Sequence, residues 1–595
     1  PSLVGSEMCI RDSLYTRMAY VRENHWKLTH LLNYNQTFYK HDIGMLLGFE
    51  EERFVKRTTD TAKLGLIDSS VGDSSSATTP SSIGGTGEEF TSRSYFGRIN
   101  YAFDSRYLFE VNMRYDGSSR FAPDNRWGLF PSFSAGWRIS EERFMKGLPI
   151  DNLKLRASWG KLGNNAIGNY EWQAVYNSAK YAFGGSLNNG LAITSISNNL
   201  LEWESTAITN IGIDFATLRN RLTFEAEFYN KVTDGILYRP DMYMSLGTAS
   251  GPRQNIAEVT NRGIEMTLNW QDRIGKVEYR VSGNFAYNQN KVSKYKGELQ
   301  RGWVTDENGN RVYQTNIGDV STGGSTRVIE GKMINEYYML QPYKGSGNGF
   351  NADGTVNING GPRDGMIRTV DDMKWLNAMV GAGYKFYPRQ NVSKSGIWYG
   401  DYIYADLNGD GVYGNDADNE FQGCSNVPKY NFGLQASANW KGFDFSMNWS
   451  GAAGFKIYYY RLALNSSATI KGYAIGEAIA NDHYFFDPKN PNDPRTNLSS
   501  KNPRLTNNSG NDQSGMTQSS VHLQKGDYIK LKNLTIGYTL PAVLSKKVYA
   551  QNIRFFASGE NLFTITGYEG MDPEMRTAVG YSTMRQYAFG VNITF

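Results

Sequence analysis

Apolar and polar side chains alternate with a period of two along nearly the whole chain. The clearest case lies near residue 100, where a short turn at Asp104–Arg106 separates two alternating segments. The residues that share the apolar face of these segments are Tyr95, Gly97, Ile99, Tyr101, Phe103, Tyr107, Phe109, Val111, Met113 and Tyr115. Strict alternation places such side chains on one side of a strand pair and the charged ones on the other. The pattern therefore predicts an all-β protein of antiparallel strands.

Composition indicates which kind of β-protein this is. The mean hydropathy is −0.52, and aromatic residues make up 14% of the 595 residues. The chain contains no apolar run of about 20 residues, so it offers no candidate transmembrane helix. A membrane barrel needs no such run, because lipid-facing residues alternate with polar residues that line the lumen. We therefore predict a large antiparallel transmembrane β-barrel with roughly 18–19 strands.

The connections between the predicted strands differ strongly in length. Tight turns are expected at Asp104–Arg106, Leu218–Arg221 and Lys441-Gly442. Long segments rich in Gly, Asn, Asp and Ser are expected to be loops at about residues 64–92, 178–200, 290–427 and 455–525. Barrels show this asymmetry because their short turns face the periplasm and their long loops face outside. The long segments are therefore predicted to form the extracellular surface.

The alternation shifts by one residue near residue 530. The apolar residues are Ile529 and Leu531 before the shift, and Leu534 and Ile536 after it. A shift of this kind within one strand predicts a β-bulge, in which one extra residue interrupts the ladder.

The two ends of the chain carry separate signals. Residues 1–13 show no alternation and resemble translated linker sequence, so we expect them to be foreign and residues 14–595 to be a partial barrel. The last alternating segment ends in Phe595. A C-terminal aromatic after an amphipathic strand resembles the signal by which outer-membrane barrels are recognised for assembly.

Other functional classes find little support. The net charge of +4 gives no argument for nucleic-acid binding, which needs clustered basic surface. Cys9 and Cys424 make no disulfide framework in a chain of this length. The five histidines form no metal or triad constellation, so no catalytic residue is assigned and no cofactor is required.

Several segments, in order along the chain, resemble the SusC/RagA group of TonB-dependent receptors. They are Tyr95–Tyr101, Arg114–Phe121, Trp127–Trp137, Leu153–Gly160, Asn261–Glu265, Asp406–Gly411, Asp527–Asn533 and Gly559–Phe563. The resemblance extends from about residue 20 to residue 595.

The resemblance implies more than the residues alone predict. It implies a barrel of about 22 strands, a size within the bacterial range, plugged by an N-terminal domain that we expect to be absent here. It implies an outer-membrane location and a SusD-like lipoprotein over the extracellular loops. It also implies uptake of oligosaccharides or peptides, energised through the TonB–ExbB–ExbD complex.

One loop segment has the spacing of a calcium site. Oxygen-bearing side chains at positions 1, 3 and 5 and a glycine at position 6 are typical of an EF-hand loop. Position 12 is Ala417, where an EF-hand has a bidentate acid. The candidate structural Ca²⁺ ligands are Asp406, Asn408, Asp410, Asp416 and Asp418. The alternative is an Asn/Asp/Gly turn without a metal.

Loop aromatics are the candidate substrate contacts. The apolar face of a sugar stacks on aromatic rings, and planar polar groups hold its hydroxyls. The candidates are Trp303, Tyr313, Trp375, Trp398 and Tyr399. For each of them, packing of the loop against itself is the alternative.

Three functions remain to be distinguished. The first is active import together with a SusD-like partner. The second is a passive outer-membrane channel or a surface adhesin built on a barrel. The third is a soluble all-β enzyme or lectin that acts on glycans, and only this one predicts extraction without detergent.

Overall fold

The structure, a computed structural model, describes residues 15–66, 73–239, 251–459, 477–505, 518–576, 581 and 583–595. The segment 1–13, expected to be foreign, and part of the loop expected at 455–525 lie outside the described residues. No helix in the described part of the chain is long and apolar enough to cross a membrane.

Strands dominate the described residues. They are β1 (Tyr15–Phe38), β2 (His41–Leu66), β3 (Ala77–Phe103), β4 (Tyr107–Ser118), β5 (Trp127–Arg138), β6 (Ile150–Asn164), β7 (Val175–Phe183), β8 (Ser186–Ser195), β9 (Glu204–Thr217), β10 (Leu222–Tyr238), β11 (Gln254–Ile274), β12 (Val277–Lys294), β13 (Arg301–Thr305), β14 (Arg311–Thr315), β15 (Thr326–Arg327), β16 (Glu336–Met339), β17 (Lys385–Phe386), β18 (Val412–Tyr413), β19 (Glu420–Phe421), β20 (Tyr430–Trp440), β21 (Phe443–Ala453), β22 (Lys456–Tyr458), β23 (Leu523–Lys525), β24 (Tyr528–Thr539), β25 (Asn552–Thr566) and β26 (Gln586–Thr594).

Helices in the described residues are few and short. The α-helices are α1 (Ile317–Val320), α2 (Val370–Gly381), α3 (Glu477–Asn481) and α4 (Ala542–Ser545). Single 3₁₀ turns lie at Ser74–Ser76, Pro123–Asn125, Ile139–Glu141, Arg143–Met145, Asp416–Asp418, Ser520–His522 and Lys546–Val548.

The longer strands form one 15-stranded sheet, within the described residues, that follows the chain order. Its order is β1-β2-β3-β4-β5-β6-β9-β10-β11-β12-β20-β21-β24-β25-β26. The predicted large antiparallel sheet is confirmed, with fewer strands than the roughly 18–19 expected. The described residues also form separate hairpins, among them β7–β8 and β13–β14, in segments that were expected to be loops.

The chain divides into two compact units. The first comprises residues 1–143, 155–210 and 231–257, and β1 to β5 lie wholly within it. The second comprises residues 144–154, 211–230 and 258–595, and every strand from β12 onward lies within it.

The neighbours of β20 show how the sheet separates apolar from polar side chains. On one side Leu434 lies between Gly283 of β12 and Trp449 of β21. On the other side Gln435 lies between Ser282 and Asn448. Leu434 is 40% exposed although it stands in an apolar row. An exposed apolar side opposite a polar side is the arrangement of a membrane barrel, whose apolar side faces lipid.

Two rows of aromatic side chains mark the edges of the apolar band in the first unit. Tyr95 lies 5.4 Å, centroid to centroid, from Phe49 and 6.2 Å from Trp127, with strands β2, β3 and β5 contributing one ring each. Eight residues further along β3, Phe103 lies 6.3 Å from Tyr107. Eight residues of a strand tilted by ~40° cover about 20 Å along the membrane normal. The spacing matches an apolar band flanked by aromatic girdles.

The tight turns occur where the alternation predicted them. Asp104 and Ser105 have φ of 53°, and Leu218, Arg219 and Asn220 have φ between 57° and 60°. Lys441 and Gly442 also have positive φ, at 48° and 89°. Two successive residues in this region form the turn that matches the twist of a β-hairpin. The three predicted turns are confirmed.

The predicted bulge lies at Lys532. Asn448 of β21 pairs with Asn533 of β24, whereas Trp449 pairs with Leu531. Lys532 is therefore the extra residue of the ladder, and the shift keeps Leu531 and Leu534 on the same side of the sheet.

The predicted long loops are more ordered than their composition indicated. Residues 77–92 belong to β3 and pair with β2, so the loop expected at 64–92 is shorter than predicted. Residues 178–195 lie in the β7–β8 hairpin. The segment 290–427 carries α1, α2 and short strands, which pack in two apolar clusters. Gly and Ser in β3 were read as loop residues, but backbone pairing with β2 holds them extended.

A charge on either side of β20 tests the assignment of its faces. Leu434→Arg is expected to lower the free energy of unfolding from lipid vesicles by about 2–4 kcal/mol, because it places a cation in the apolar band. Gln435→Arg, on the polar side, is expected to change it by less than about 1 kcal/mol. Equal losses in the two variants, measured by guanidinium unfolding, would show that neither side faces lipid.

Candidate functional site

Much of the segment between β12 and β20 folds around an apolar core, called here the loop core, to which Tyr484 of a later segment also contributes. Its buried members are Leu340, Tyr343, Met366, Ile367, Met373, Trp375, Leu376, Met379, Phe386, Ile397, Tyr399, Tyr402, Ile403, Tyr404, Tyr413 and Tyr484. In a long barrel connection, a core of this size holds the surrounding backbone in a defined shape. Binding residues placed on it are therefore positioned by packing and not by a mobile loop.

Helix α2 is the main element of the loop core. Its N-terminus is a capping box, in which the Thr369 hydroxyl accepts from the Asp372 amide at 3.1 Å and the Asp372 carboxylate accepts from the Thr369 amide at 2.8 Å. The helix buries Met373, Trp375 and Leu376 on its inner side. Its charged outer side is left at the surface.

The structure separates the five candidate substrate aromatics into two groups. Trp375 is fully buried, stacks 5.2 Å from Tyr343 and donates from its ring nitrogen to the Asn357 carbonyl at 2.8 Å. Tyr399 is 6% exposed. These two side chains pack the loop core and offer no surface to a ligand, so the self-packing alternative applies to them.

The other three aromatics keep partly exposed rings. Trp303 and Tyr313 meet edge to face at 5.7 Å in the β13–β14 hairpin, and the Arg311 guanidinium lies 5.0 Å from the Trp303 ring. Trp398 contacts Tyr399 edge to face at 5.2 Å. Their role as substrate contacts stays a prediction.

The carboxylates of the predicted calcium loop accept hydrogen bonds from the backbone. Asp406 accepts from the amides of Gly409 at 2.6 Å and Gly411 at 2.8 Å. Asp410 accepts from the Val412 amide at 2.7 Å and from the Asn408 side chain at 3.1 Å. These contacts are those of the Asn/Asp/Gly turn that was the alternative.

The remaining two candidate ligands behave differently. Asp418 is fully buried and accepts from the amides of Leu407 at 2.7 Å and Gly414 at 2.8 Å. Asp416 begins the following 3₁₀ turn. Within the described ranges, no group of three or more Asp, Glu, His and Cys side chains is placed to hold a metal ion. Calcium binding stays a prediction.

Burial changes the pKa of the Asp418 carboxyl group. Burial, followed by the nearby charge of Asp406, raises the pKa of Asp418 to about 6. A carboxyl whose pKa is higher in the folded than in the unfolded state stabilises the fold more at low pH. We expect the free energy of unfolding of this loop to fall by about 2–3 kcal/mol between pH 4 and pH 6. Hydrogen exchange of residues 406–418 measures it.

Asp418→Asn is the matched variant for this prediction. It keeps a side-chain oxygen at the same place but cannot ionise, so the fall in protection between pH 4 and pH 6 should disappear. A wild-type loop whose protection stays level or rises over that interval would contradict the assignment. Repeating the measurement with CaCl₂ tests the calcium prediction, because a bound ion would raise protection at pH 7.

A polar groove lies beside α2. Its volume is about 870 Å³, and its lining includes Arg363, Asp364, Arg368, Asp371 and Lys374. Two ion pairs, Arg368–Asp364 at 2.6 Å and Lys374–Asp371 at 2.9 Å, place both signs of charge along it. Such a groove offers donors and acceptors to a polar ligand. The sequence analysis missed it, although the capping box before the apolar stripe of α2 was visible in the sequence.

The polar side of the sheet in the second unit also holds cavities. Two of them, of about 490 and 460 Å³, share Arg280 of β12. Nearby, Asp444 of β21 and Arg554 of β25 form a bidentate ion pair across Gly537, with a nitrogen–oxygen distance of 2.8 Å. A Cβ at Gly537 would lie 2.4 Å from an Asp444 oxygen, so glycine leaves the space for this pair. This side of the sheet is therefore polar and charged, as a lumen wall is.

Two buried charged clusters join segments of the second unit that lie far apart in the sequence. Asp401, 2% exposed, forms a bidentate pair with Arg504 at 2.8 and 2.9 Å. Lys530, 1% exposed, donates to Asp572 and Glu574, both at 2.7 Å. Both clusters were missed, because sequence alone does not reveal which charged residues become buried.

Phe595, the predicted assembly signal, follows β26 directly and is 79% exposed. The adjacent Thr594 carbonyl accepts from the Gln551 amide at 2.7 Å. The aromatic ring is thus presented at the end of a strand of the main sheet, and its role in assembly stays a prediction.

Comparison with known proteins agrees with this architecture. The family described as "TonB dependent receptor-like, beta-barrel" matches residues 10–562. TonB-dependent receptor P39 of Formosa agariphila is 30% identical over 601 residues, which cover 95% of this chain and 52% of that protein. TonB-dependent receptor SusC of Bacteroides thetaiotaomicron is 28% identical over 517 residues, covering 84% of this chain and 43% of SusC.

A solved structure shares the fold. The RagAB peptide transporter superposes with a TM-score of 0.73 at 21% identity, covering 97% of this chain and 56% of the transporter chain. The chain thus spans about half the length of the relatives it matches. With its antiparallel sheet, exposed apolar side and folded loops, the chain belongs to the TonB-dependent receptor β-barrel family of the Gram-negative outer membrane.

Proposed function

We propose that this chain forms the pore of a TonB-dependent importer that takes up oligosaccharides or peptides together with a SusD-like surface lipoprotein. One observation carries the proposal: a loop region packed around an apolar core bears a polar groove, and the sheet has one polar, charged side. A passive channel has no need of a packed core in its outer loops. A receptor needs it, because a ligand binds tightly only to groups that are already in position.

The names of two relatives support TonB-dependent transport and a peptide cargo. SusC and the RagAB peptide transporter bear names that link this group to transport and TonB. Energy from TonB–ExbB–ExbD would open the path for the cargo. The lipoprotein would cover the folded loops and present the ligand to the groove.

Uptake against a gradient tests the importer function. In the source bacterium, a strain that lacks the gene and the same strain carrying the full-length gene are given labelled oligosaccharides and peptides. We expect accumulation above the external concentration only in the complemented strain, and its loss on adding a protonophore. Uptake that stops at equal concentrations and ignores the protonophore would indicate a passive channel. Binding to surfaces without uptake would indicate an adhesin.

Two further measurements address the partner and the third alternative. A tagged full-length protein solubilised from outer membranes should retain a lipoprotein in equal amount through affinity purification. Recovery of the protein in the aqueous fraction without detergent would instead support a soluble enzyme or lectin. The groove is tested by Arg363→Ala, which should reduce uptake, with Arg495→Ala outside the groove as the control.

A further inference from the structure

The first three strands are much longer than a membrane requires. β1, β2 and β3 have 24, 26 and 27 residues, whereas about 9–11 tilted residues cross a bilayer. The aromatic row at Phe49 and Tyr95 marks the upper edge of the apolar band. The segments beyond it, residues 15–27, 51–66 and 77–93, are called here the outer ribbon. Longer connections of a barrel face outside, and the β2–β3 connection lies at this end, so the ribbon stands above the outer leaflet.

The side of the ribbon that continues the polar side of the sheet is neutralised by cross-strand pairs. Lys56 lies 3.0 Å from Glu23, and Lys27 lies 2.9 Å from Glu50. Arg17 pairs with Asp60. Acidic and basic groups are thus matched on this inward side.

The side that continues the lipid-facing side has an excess of basic groups. Arg93 pairs with Glu51 at 2.9 Å, and Arg53 pairs with Glu89 at 2.7 Å. Arg22 of β1 and Arg57 of β2 lie directly opposite each other in the ladder. Neither has an acidic partner among the described residues.

Arg22 and Arg57 repel each other across the ladder, and this repulsion destabilises the sheet. A bound anion would remove the repulsion. Directly opposite residues have Cβ atoms about 4.5–5.5 Å apart, and like charges there are destabilising. A Cβ at Gly87 of β3 would lie 3.1 Å from an Arg57 guanidinium nitrogen, so glycine at this position lets Arg57 lie over β3. The exposed rings of Trp26 (43%) and Tyr20 (66%) flank Arg22 on β1 along the same side. Two guanidinium groups beside aromatic rings match a phosphorylated, partly apolar ligand.

We propose that Arg22 and Arg57 bind the phosphate groups of a phosphorylated glycolipid of the outer leaflet. Arg57 lies eight residues beyond Phe49, or about 20 Å above the apolar band. The headgroup layer of an ordinary phospholipid is only about 5–8 Å thick. A lipid that reaches Arg57 therefore carries its phosphates on a larger, sugar-built headgroup. The basic outward side of the ribbon complements the negative charge of these phosphates.

The test measures the lipid that the full-length protein retains. Wild type and the double variant Arg22→Ala/Arg57→Ala are extracted from outer membranes, and bound phosphorylated glycolipid is quantified by mass spectrometry. We expect about thirtyfold weaker binding in the double variant, from the loss of two basic side chains near the membrane surface. Lys56→Ala, on the inward side of the same strand, should keep wild-type binding. Arg22→Lys/Arg57→Lys, which retains the charge, should keep most of it and also controls for folding.

Binding of single lipids to delipidated protein in micelles shows which chemical group of the lipid is recognised. The phosphorylated glycolipid should bind, whereas its dephosphorylated form, phosphatidylglycerol and inorganic phosphate should bind at least tenfold more weakly. Equal binding of phosphatidylglycerol, or equal glycolipid retention by wild type and the double alanine variant, would overturn the proposal. Loss of a co-purifying acidic protein, with the lipid unchanged, would overturn it in favour of a protein contact. These results do not depend on whether the protein imports a cargo.

Discussion

Replacing Lys530 with methionine is expected to detach the segment that follows β25. The Lys530 ammonium group is buried and holds the carboxylates of Asp572 and Glu574, both at 2.7 Å. Without the cation, the nearly buried Asp572 is left uncompensated. Removing one partner of a buried pair costs about 3–5 kcal/mol. Hydrogen exchange of residues 567–576 should therefore accelerate by about a hundredfold or more.

Lys532→Met is the matched control for this cluster. Lys532 contacts Glu574 at 2.6 Å, but its side chain is 31% exposed, so its loss should cost less than about 1 kcal/mol. The triple variant Lys530→Met/Asp572→Asn/Glu574→Gln removes the uncompensated charges and should recover part of the protection. Equal exchange rates in the Lys530 and Lys532 variants would mean that Lys530 does not anchor this segment.

Arg504→Ala is expected to have a comparable effect on the loop core. Arg504 pairs with Asp401 and also donates to the carbonyls of Lys394 at 3.1 Å and Gly396 at 3.3 Å. The variant leaves a carboxylate buried without its cation, at a cost of about 3–5 kcal/mol. Urea unfolding of the loop region, followed by the fluorescence of buried Trp375, measures the change. Arg495→Ala, which removes an exposed pair with Asp493, should lower stability by less than about 1 kcal/mol.

The Arg504 variant should also depend on pH in a defined direction. Burial raises the pKa of Asp401, whereas Arg504 opposes the increase. Without Arg504 the pKa of the folded state moves further above that of the unfolded state. The loss of stability should therefore shrink as the pH falls, because protonation removes the buried charge. A deficit that grows on acidification would contradict the assignment of Asp401 as the charged partner.

Much of the sheet could be predicted because the alternation of apolar and polar residues is visible within each short segment of the sequence. Alternation alone predicted the hairpin around Asp104–Arg106, and the slip between Leu531 and Leu534 predicted a bulge near residue 530. The extension of β3 through residues 77–92 was not predictable in the same way. Its Thr, Ser and Gly residues are typical of loops, and only pairing with β2 makes them a strand.

The loop region was harder to predict because its chemistry depends on burial. The acidic spacing from Asp406 predicted a calcium site or a metal-free turn, but it gave no sign that Asp418 would be fully buried. Trp375 was taken as a ligand contact, although Met373, Leu376 and Met379 around it follow the spacing of a buried helix face. The pairs made by Asp401 and Lys530 join residues far apart in the sequence, which no local pattern reveals.

A membrane barrel requires that one side of this sheet faces lipid and the other side faces water. Single cysteines at positions 430–440 of β20, in a chain whose Cys9 and Cys424 are replaced by serine, can carry a nitroxide in lipid bilayers. The accessibility of each nitroxide to oxygen, which concentrates in lipid, is compared with its accessibility to a water-soluble nickel complex. We predict high oxygen accessibility at Phe432, Leu434, Ala436 and Ala438, and high nickel accessibility at Gln435, Ser437 and Asn439. Nickel accessibility at every position would contradict the membrane barrel.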